Sequence, residues 1–459
     1  MTAAVGAGGA GSRSRRIGAL AWPLLVGQLA VIANGVIDTA MTSRFSSTDL
    51  AALAVGASIY ISAFVGLSGV LQAVSPIIGQ LYGAREYDRI GFEVKQGIWL
   101  ALFLCVAGFL MLLFPQPLLA LAHASPETSD KVTLYLRILA LALPATLGFR
   151  LYGSLNMAVA RPRMVMVIQV GALLLKVPLN MLFIFGGAGL PAMGGPGCAV
   201  ATAITAWCAV LACIVLLRRD PFYAQFRLFG AGFVAPEWKA QKALLKLGVP
   251  MGLSYLIEVT AYTFMALFIA RIGNTAVASH QVTANFGTVL YMLPLSIANA
   301  TGTLVAQALG ARKPDEARRI GHAGIGLAAL CSVTVGVLVW LLRGAIIRAY
   351  TPDAAVIAAA MHLFLFIAFY QLFDSVQVTT AFVLRAYKVA VVPTVIYALA
   401  LWGVGLGGGY LMGLDPLGLA PDAVRGAAGF WLANSASLGL VALGLLWYLR
   451  RVERAYTPD

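Results

Sequence analysis

Residues 79–88 read GQLYGAREYD and residues 306–315 read AQALGARKPD, and the likeness of these two stretches decides the fold. Sliding the chain on itself by 227 residues, the difference between Gln80 and Gln307, superposes them without a gap. Gln80, Gly83, Ala84, Arg85 and Asp88 then meet Gln307, Gly310, Ala311, Arg312 and Asp315. The same offset lays Leu20 on Leu247, Pro23 on Pro250, Arg44 on Arg271 and Thr48 on Thr275. It runs on to GIWLA (97–101) over GIGLA (324–328), after which the match weakens, although both halves keep a basic connection between their fourth and fifth segments. An offset near half of 459 residues marks an internal duplication.

The repeated unit is membranous. Sixty per cent of the residues are hydrophobic and 11% are charged, with a mean hydropathy of +0.87. A soluble domain could not bury that much apolar surface. The first half holds apolar segments near 17–40, 52–78, 97–121, 132–157, 165–186 and 196–217. The second half holds them near 245–270, 277–305, 322–347, 355–382, 391–413 and 426–449. Each is long enough to cross a hydrocarbon core of about 30 Å as a helix. Lipid cannot satisfy backbone polar groups, and the runs lack the alternation of a barrel strand. The expectation is an all-α polytopic protein of twelve transmembrane helices. Its two six-helix lobes should be related by a pseudo-two-fold axis along the membrane normal, because an even number of helices inserts both halves the same way.

Charge orients the chain. The even-numbered connections and both termini carry most of the Lys and Arg, for example Arg85, Arg161, Lys239, Arg312, Arg385 and Arg450. The odd-numbered connections offer little beyond Arg44, Lys131, Arg271, Arg348 and Arg425. The positive-inside rule puts both termini in the cytoplasm. A cytoplasmic tail (1–16), a first lobe (17–217), a linker (218–244), a second lobe (245–449) and a closing tail (450–459) follow. The linker suits a tether that lets two lobes rock. The net charge of +14 is a topology signal; spread over short loops, it does not make a nucleic-acid surface. The N-terminal stretch MTAAVGAGGAGSRSRR has no apolar core of its own and reads as a tail, not a signal peptide. The five cysteines fall in apolar segments without pairing or metal-ligand spacing and read as small core residues.

No GxxxxGK[ST], HExxH, CxxC or GxSxG motif stands out, and His123, His280, His322 and His362 are scattered. Neither an enzyme, an internal ATPase nor a bound cofactor is expected, so work must come from an ion gradient. Each charge inside the bilayer costs about 2.5–3.5 kcal/mol on insertion scales and asks for an explanation. Glu258 lies midway along its segment, Asp374 lies in FYQLFDSVQVTT, and Asp38 lies toward the outer part of the first segment. Each either sits in a static hydrogen-bond network, or at the interface, or exchanges a cation. Tyr370 and Gln377 lie about one turn either side of Asp374 and could supply oxygen ligands. Glu258 and Asp374 are the pair that could hold Na⁺. Lys176 is the oddest residue, with Pro178 and Asn180 beside it, and Asp38 is the nearest carboxylate for a salt bridge or a coupling role. Arg137, Arg150 and Arg343 sit at segment ends and read as snorkelling. Trp99, Trp207, Trp402 and Trp431 read as packing or interfacial belt, and Met265 and Met292 as core or cavity lining.

At these residues the chain resembles the multidrug and toxic compound extrusion family, in its NorM-like bacterial branch. The resemblance rests on PIIGQLYGA (76–84), VAQALGA (305–311), LGVPMGLSYLIEV (247–259), YQLFDSVQ (370–377), LRAYK (384–388) and GLPAMGGPGCAVATA (189–203). It implies export of organic, often cationic, drugs in exchange for Na⁺ or H⁺, by rocking of two lobes, in a monomer of the bacterial inner membrane with no nucleic-acid partner. It carries cation binding to Glu258, Asp374 and Tyr370, and a first-lobe site to Asp38 and Asn180 with Thr202 beside them. Lys176 departs from the pattern, which often has asparagine there; a fixed ammonium would repel sodium and favour proton handling or a salt-bridge switch. Val389 departs too, where a polar or acidic residue commonly follows the lysine. The alternative is a lipid-linked glycan flippase of the same superfamily, which would line its cavity with several basic residues.

Overall fold

The computed structural model describes residues 10–456 except 117–125, 188, 231, 233, 417, 419, 420, 422 and 423. His123, the end of the third expected segment and parts of both expected tails lie outside the described residues. Among the described residues, twelve stretches are long and apolar enough to cross a membrane. The first is α1 (Ala10–Phe45); the second joins α2 (Ser47–Leu71) to a short α3 (Val74–Ala84). Then come α4 (Tyr87–Leu113), α5 (Pro126–Ala158), α6 (Pro162–Phe185) and α7 (Gly195–Arg219). A 3₁₀ turn, Pro221–Phe226, leads toward α8 (Trp238–Ala270), α9 (Asn274–Gly310), α10 (Pro314–Tyr350) and α11 (Ala354–Ala386). The eleventh span is composite, with α12 (Val391–Tyr397), a π-helical stretch Ala398–Gly407 and α13 (Gly408–Gly413). Last comes α14 (Ala427–Ala455).

Local chemistry explains the interruptions. Pro76 has no N–H to give the carbonyl of Gln72, which instead accepts from Ser75 N at 3.1 Å, and the second span turns there. The repeat survives to the level of single backbone bonds. Arg85 and Arg312 both adopt left-handed φ, 62° and 57°. Around them Glu86 N donates to Leu81 O and Lys313 N to Ala308 O, both at 3.0 Å, the same helix-ending pair of turns in each half. Ala160 and Lys388 end the fourth helix of each half in the same way, at φ 58° and 60°. Their separation is one residue more than 227, so a gapless comparison loses register there.

The chain forms two compact units, Val26–Gly252 and Met1–Leu25 with Leu253–Asp459. In the first, Leu71, Ile78, Leu100, Leu136 and Leu147 are fully enclosed. Small residues let the backbones approach: a Cβ on Gly197 of α7 would stand 2.2 Å from Phe183 O of α6. At one end Asp49 is 2% exposed; it accepts from Lys131 Nζ at 2.9 Å and from Gly195 N at 2.8 Å. At the other end the linker is bound rather than loose. Gln96 of α4 donates to Ala235 O at 3.1 Å and accepts from Glu237 N at 3.0 Å and Gln241 Nε2 at 3.0 Å. Trp99 donates to Val234 O at 2.8 Å. Residues 234, 235 and 237 of the linker thus have backbone groups hydrogen-bonded by α4.

In the second unit, Ile297, Val305, Leu384, Leu438 and Val441 pack with Ile17 and Ala21 from the start of α1. Arg13 of α1 pairs with Glu316 of α10 at 3.2 Å. Near the end of α14 the buried Glu453 accepts from His322 at 3.1 Å, and Arg318 caps its backbone carbonyl at 2.9 Å.

Candidate cation-coupling site

The expected site residues fall in two groups within the described spans, one in each compact unit. In the first unit α6 carries Lys176 and Asn180 four residues apart, on one face, and continues unbroken through Pro178. Both point at Asp38 of α1. Lys176 Nζ lies 3.1 Å from Asp38 Oδ2, and Asn180 Nδ2 donates to Oδ1 at 2.8 Å, so each carboxylate oxygen has a donor. Lys176 also donates to Thr202 Oγ1 of α7, and the Thr202 hydroxyl donates to Cys198 O at 2.9 Å. Lys176 is 3% exposed and Asn180 fully buried, and Asn180 Oδ1 has no donor. The structure therefore brings Asp38, Lys176, Asn180 and Thr202 into one cluster. Its charges cancel as a pair.

In the second unit α11 buries Asp374, 2% exposed. Gln377, one turn on, donates Nε2 to Asp374 Oδ1 at 2.8 Å, and its Oε1 accepts from Tyr397 OH of α12. Glu258 of α8 is half-buried and close enough to Asp374 and to Arg385 for their charges to act on it. The phenols of Tyr291, Tyr370 and Tyr397 lie in the field of both carboxylates. Tyr370 stands edge-on to Trp431, ring centroids 5.4 Å apart. Two carboxylates in a poorly solvated site cannot both stay ionised without a cation, a proton or a fixed counter-charge. Oxygen donors and one carboxylate pair suit a small hard cation or a proton.

Other expected residues divide. Met265 is 2% exposed and packs with Ile269, Phe364 and Ile367. Met292 is half-buried. Cys105, Cys198 and Cys213 are buried as core residues, but Cys208 is exposed, on the outward face of α7. Trp431 is enclosed, while Trp207 and Trp402 remain exposed and donate their indole N–H to Leu141 O and Ile257 O.

Sequence reasoning missed Arg385. It counted as a loop cation beside Tyr387 and Lys388, yet it is 7% exposed, its Nη1 donates to Tyr255 OH at 2.8 Å, and Phe382 and Tyr255 present ring faces to it. The available signal was Tyr255, three residues before Glu258 on the same helical face. Asp49 was missed as well, since nothing local to it announces Lys131 or Gly195.

The MatE family model matches residues 23–182 and 250–411. The chain is 41% identical to a probable multidrug resistance protein NorM of Aromatoleum aromaticum over 434 residues, 95% of this chain and 93% of that protein. It is 35% identical to the multidrug resistance protein NorM of Vibrio vulnificus, over 94% of this chain and 95% of that one. Among solved structures, the eukaryotic MATE transporter AtDTX14 superposes with a TM-score of 0.86 at 17% identity, covering 97% of this chain and 98% of that chain. The Vibrio cholerae MATE transporter VcmN, in its bent form, gives 0.82 at 16% identity, covering 97% and 98%. These two likenesses are of fold.

Proposed function

The chain belongs to the MatE family of membrane transporters, and from that premise we propose that it exports bulky organic compounds, cationic ones among them, in exchange for Na⁺ or H⁺. The observation that carries the coupling is the buried Asp374, held by Gln377 and Tyr397 within reach of Glu258's charge. A cation or proton entering from outside neutralises this site. Export of the drug follows when the two halves rock, and the cation leaves to the cytoplasm before the next drug binds. Alternating occupancy by cation and drug prevents a leak, because a half that has lost its cation presents uncompensated carboxylates. The protein works in the bacterial inner membrane with both termini in the cytoplasm, as its Lys and Arg distribution supports. One inward charge is worth about 2.3 kcal/mol per 100 mV, enough for a gradient of tens-fold in a neutral drug. The glycan-flippase reading finds less support, since Lys176 is paired with a carboxylate and Arg385 is bound to a phenol, neither standing ready for pyrophosphate.

The test is reconstitution in lipid vesicles with ethidium as the exported dye, driven separately by a sodium gradient and by a pH gradient. Export under one of the two identifies the coupling cation. Export under neither refutes the antiport.

A further inference from the structure

The start of α8 carries a basic face that the buried carboxylates do not use. Trp238, Lys239, Lys242 and Lys246 are all exposed, Trp238 to 73%. At 3.6 residues per turn they fall within about 100° of one another around the helix, and the exposed Val249 and Leu253 continue the same stripe. Leu244, Leu247 and Met251, on the opposite face, are buried. Gln241, at the edge of that buried face, is bonded to Gln96 of α4. Other basic side chains find carboxylates: Arg13 meets Glu316, Lys131 meets Asp49 and Arg161 meets Asp220. Lys239, Lys242 and Lys246 pair with no carboxylate among the described residues. Glu237, the acidic residue nearest to them along the chain, is exposed and gives its N–H to Gln96.

The stripe changes character along its length. Its first turns offer three ammonium groups over about 10 Å, and beyond Lys246 it is apolar. Lysine holds phosphate as a point charge on a flexible stem, and an exposed indole belongs at the headgroup level of a bilayer. A soluble phosphate ester would use the lysines alone. A glycerophospholipid presents phosphate first and hydrocarbon next, in the order in which the stripe presents lysine and then Val249 and Leu253. We propose that this face of α8 binds an anionic phospholipid of the cytoplasmic leaflet, its phosphate among Lys239, Lys242 and Lys246 and its acyl chains along Val249 and Leu253. The leaflet follows from the cytoplasmic termini proposed above. The lipid and Gln96 then hold different faces of the root of the helix that carries Glu258. A lysine beside an anionic headgroup is worth about fivefold in affinity, so three give roughly a hundredfold preference for an anionic over a zwitterionic lipid.

The experiment titrates the purified full chain, in neutral detergent, with phosphatidylglycerol and phosphatidylcholine of equal, short acyl length, and counts bound lipid by native mass spectrometry. The first phosphatidylglycerol should bind roughly a hundredfold more tightly than phosphatidylcholine. A variant combining Lys239→Gln, Lys242→Gln and Lys246→Gln should lose that preference. One combining Arg450→Gln, Arg451→Gln and Arg454→Gln, which removes the same charge from exposed positions at the end of α14, should keep it. Glycerol phosphate, which offers the anion without acyl chains, should not displace the lipid at equal concentration. In vesicles, phosphatidylglycerol with a photoreactive acyl chain should label the wild type between residues 247 and 253. Equal affinity for the two lipids in the wild type, an unchanged preference in the lysine variant, or label confined to other helices overturns the proposal. Equal loss in the arginine variant, which would reduce the effect to overall charge, overturns it too, as does displacement by glycerol phosphate. Should the lysine variant fail to fold, the wild-type preference and the position of the label decide. None of these measurements needs turnover, so absence of ethidium exchange would remove the antiport reading and leave this site standing.

Discussion

Replacing Gln96 by alanine should release the linker from the first compact unit. The Gln96 side chain is fully buried and makes three hydrogen bonds to the chain segment that leads into α8: to Ala235 O, from Glu237 N and from Gln241 Nε2. Alanine removes all three, and the bond from Gln241 to the Gln96 backbone carbonyl at 2.9 Å is the one that stays. At about 1 kcal/mol net per bond the loss is about 3 kcal/mol, or on the order of a hundredfold in the equilibrium for opening this segment. Hydrogen exchange of the amides between residues 235 and 241, followed by mass spectrometry on purified protein, reads that equilibrium directly. Trypsin cleavage at the exposed Lys239 provides a second reading. Lys95→Ala is the control, since its bond to Gly232 O at 3.1 Å is exposed and its loss should change exchange by no more than about twofold. Exchange in Gln96→Ala within a few-fold of wild type would refute the view that α4 clamps the linker.

The remaining predictions concern the charges and the packing. Asp374→Asn and Glu258→Gln should each abolish drug resistance in a host strain at normal expression, and full resistance in both would sink their coupling role. Lys176→Met leaves Asp38 without its cation and should cost about 3–5 kcal/mol; in a thermal melt, Asp38→Asn added to it should recover most of the loss. Tyr397→Phe removes the donor to Gln377 Oε1, and at about 1 kcal/mol the cation concentration for half-maximal export should rise roughly fivefold. Gly197→Ala sets a methyl 2.2 Å from Phe183 O and should lower the yield of folded protein, because two helix backbones would have to separate; Cys198→Ala next to it, which only trims a side chain, should fold normally.

What the residues disclosed in advance follows from how far each signal reaches along the chain. The spans were legible because membrane insertion is written in continuous composition, and the break before Pro76 was not, because a single missing N–H leaves the apolar pattern intact. The repeat was legible through GQLYGAR and AQALGAR, and in both stretches the closing arginine takes the same left-handed turn. Asp38, Lys176 and Asn180 announced themselves as polar groups in costly surroundings, and the structure brings them together across residues 138 and 142 apart in the chain. Gln96 gave no such warning. A glutamine near a helix start is unremarkable until the linker, 139 residues away, supplies the carbonyl of Ala235. Arg385 misled for the opposite reason: it stands in a basic loop motif, and its burial depends on Tyr255, 130 residues distant.

The boundary between the compact units adds a constraint that neither half shows alone. It falls between Leu25 and Val26 in α1 and between Gly252 and Leu253 in α8. Adding 227 to 26 gives 253, so both cuts occupy one position of the duplication. Three residues before each cut stands a proline inside the helix, Pro23 and Pro250, where one backbone hydrogen bond is missing. The two helices cut in this way are the ones that carry Asp38 and Glu258. Each has its first turns built into one unit, by Arg13 and Ile17 in α1 and by Gln241 and Leu244 in α8, and its carboxylate in the other. In each helix the proline, which has no N–H to donate, stands between those first turns and the carboxylate. Duplication supplied the pair of crossing helices; the carboxylates were placed on them at unrelated positions, Asp38 opposite Met265 and Glu258 opposite Val31.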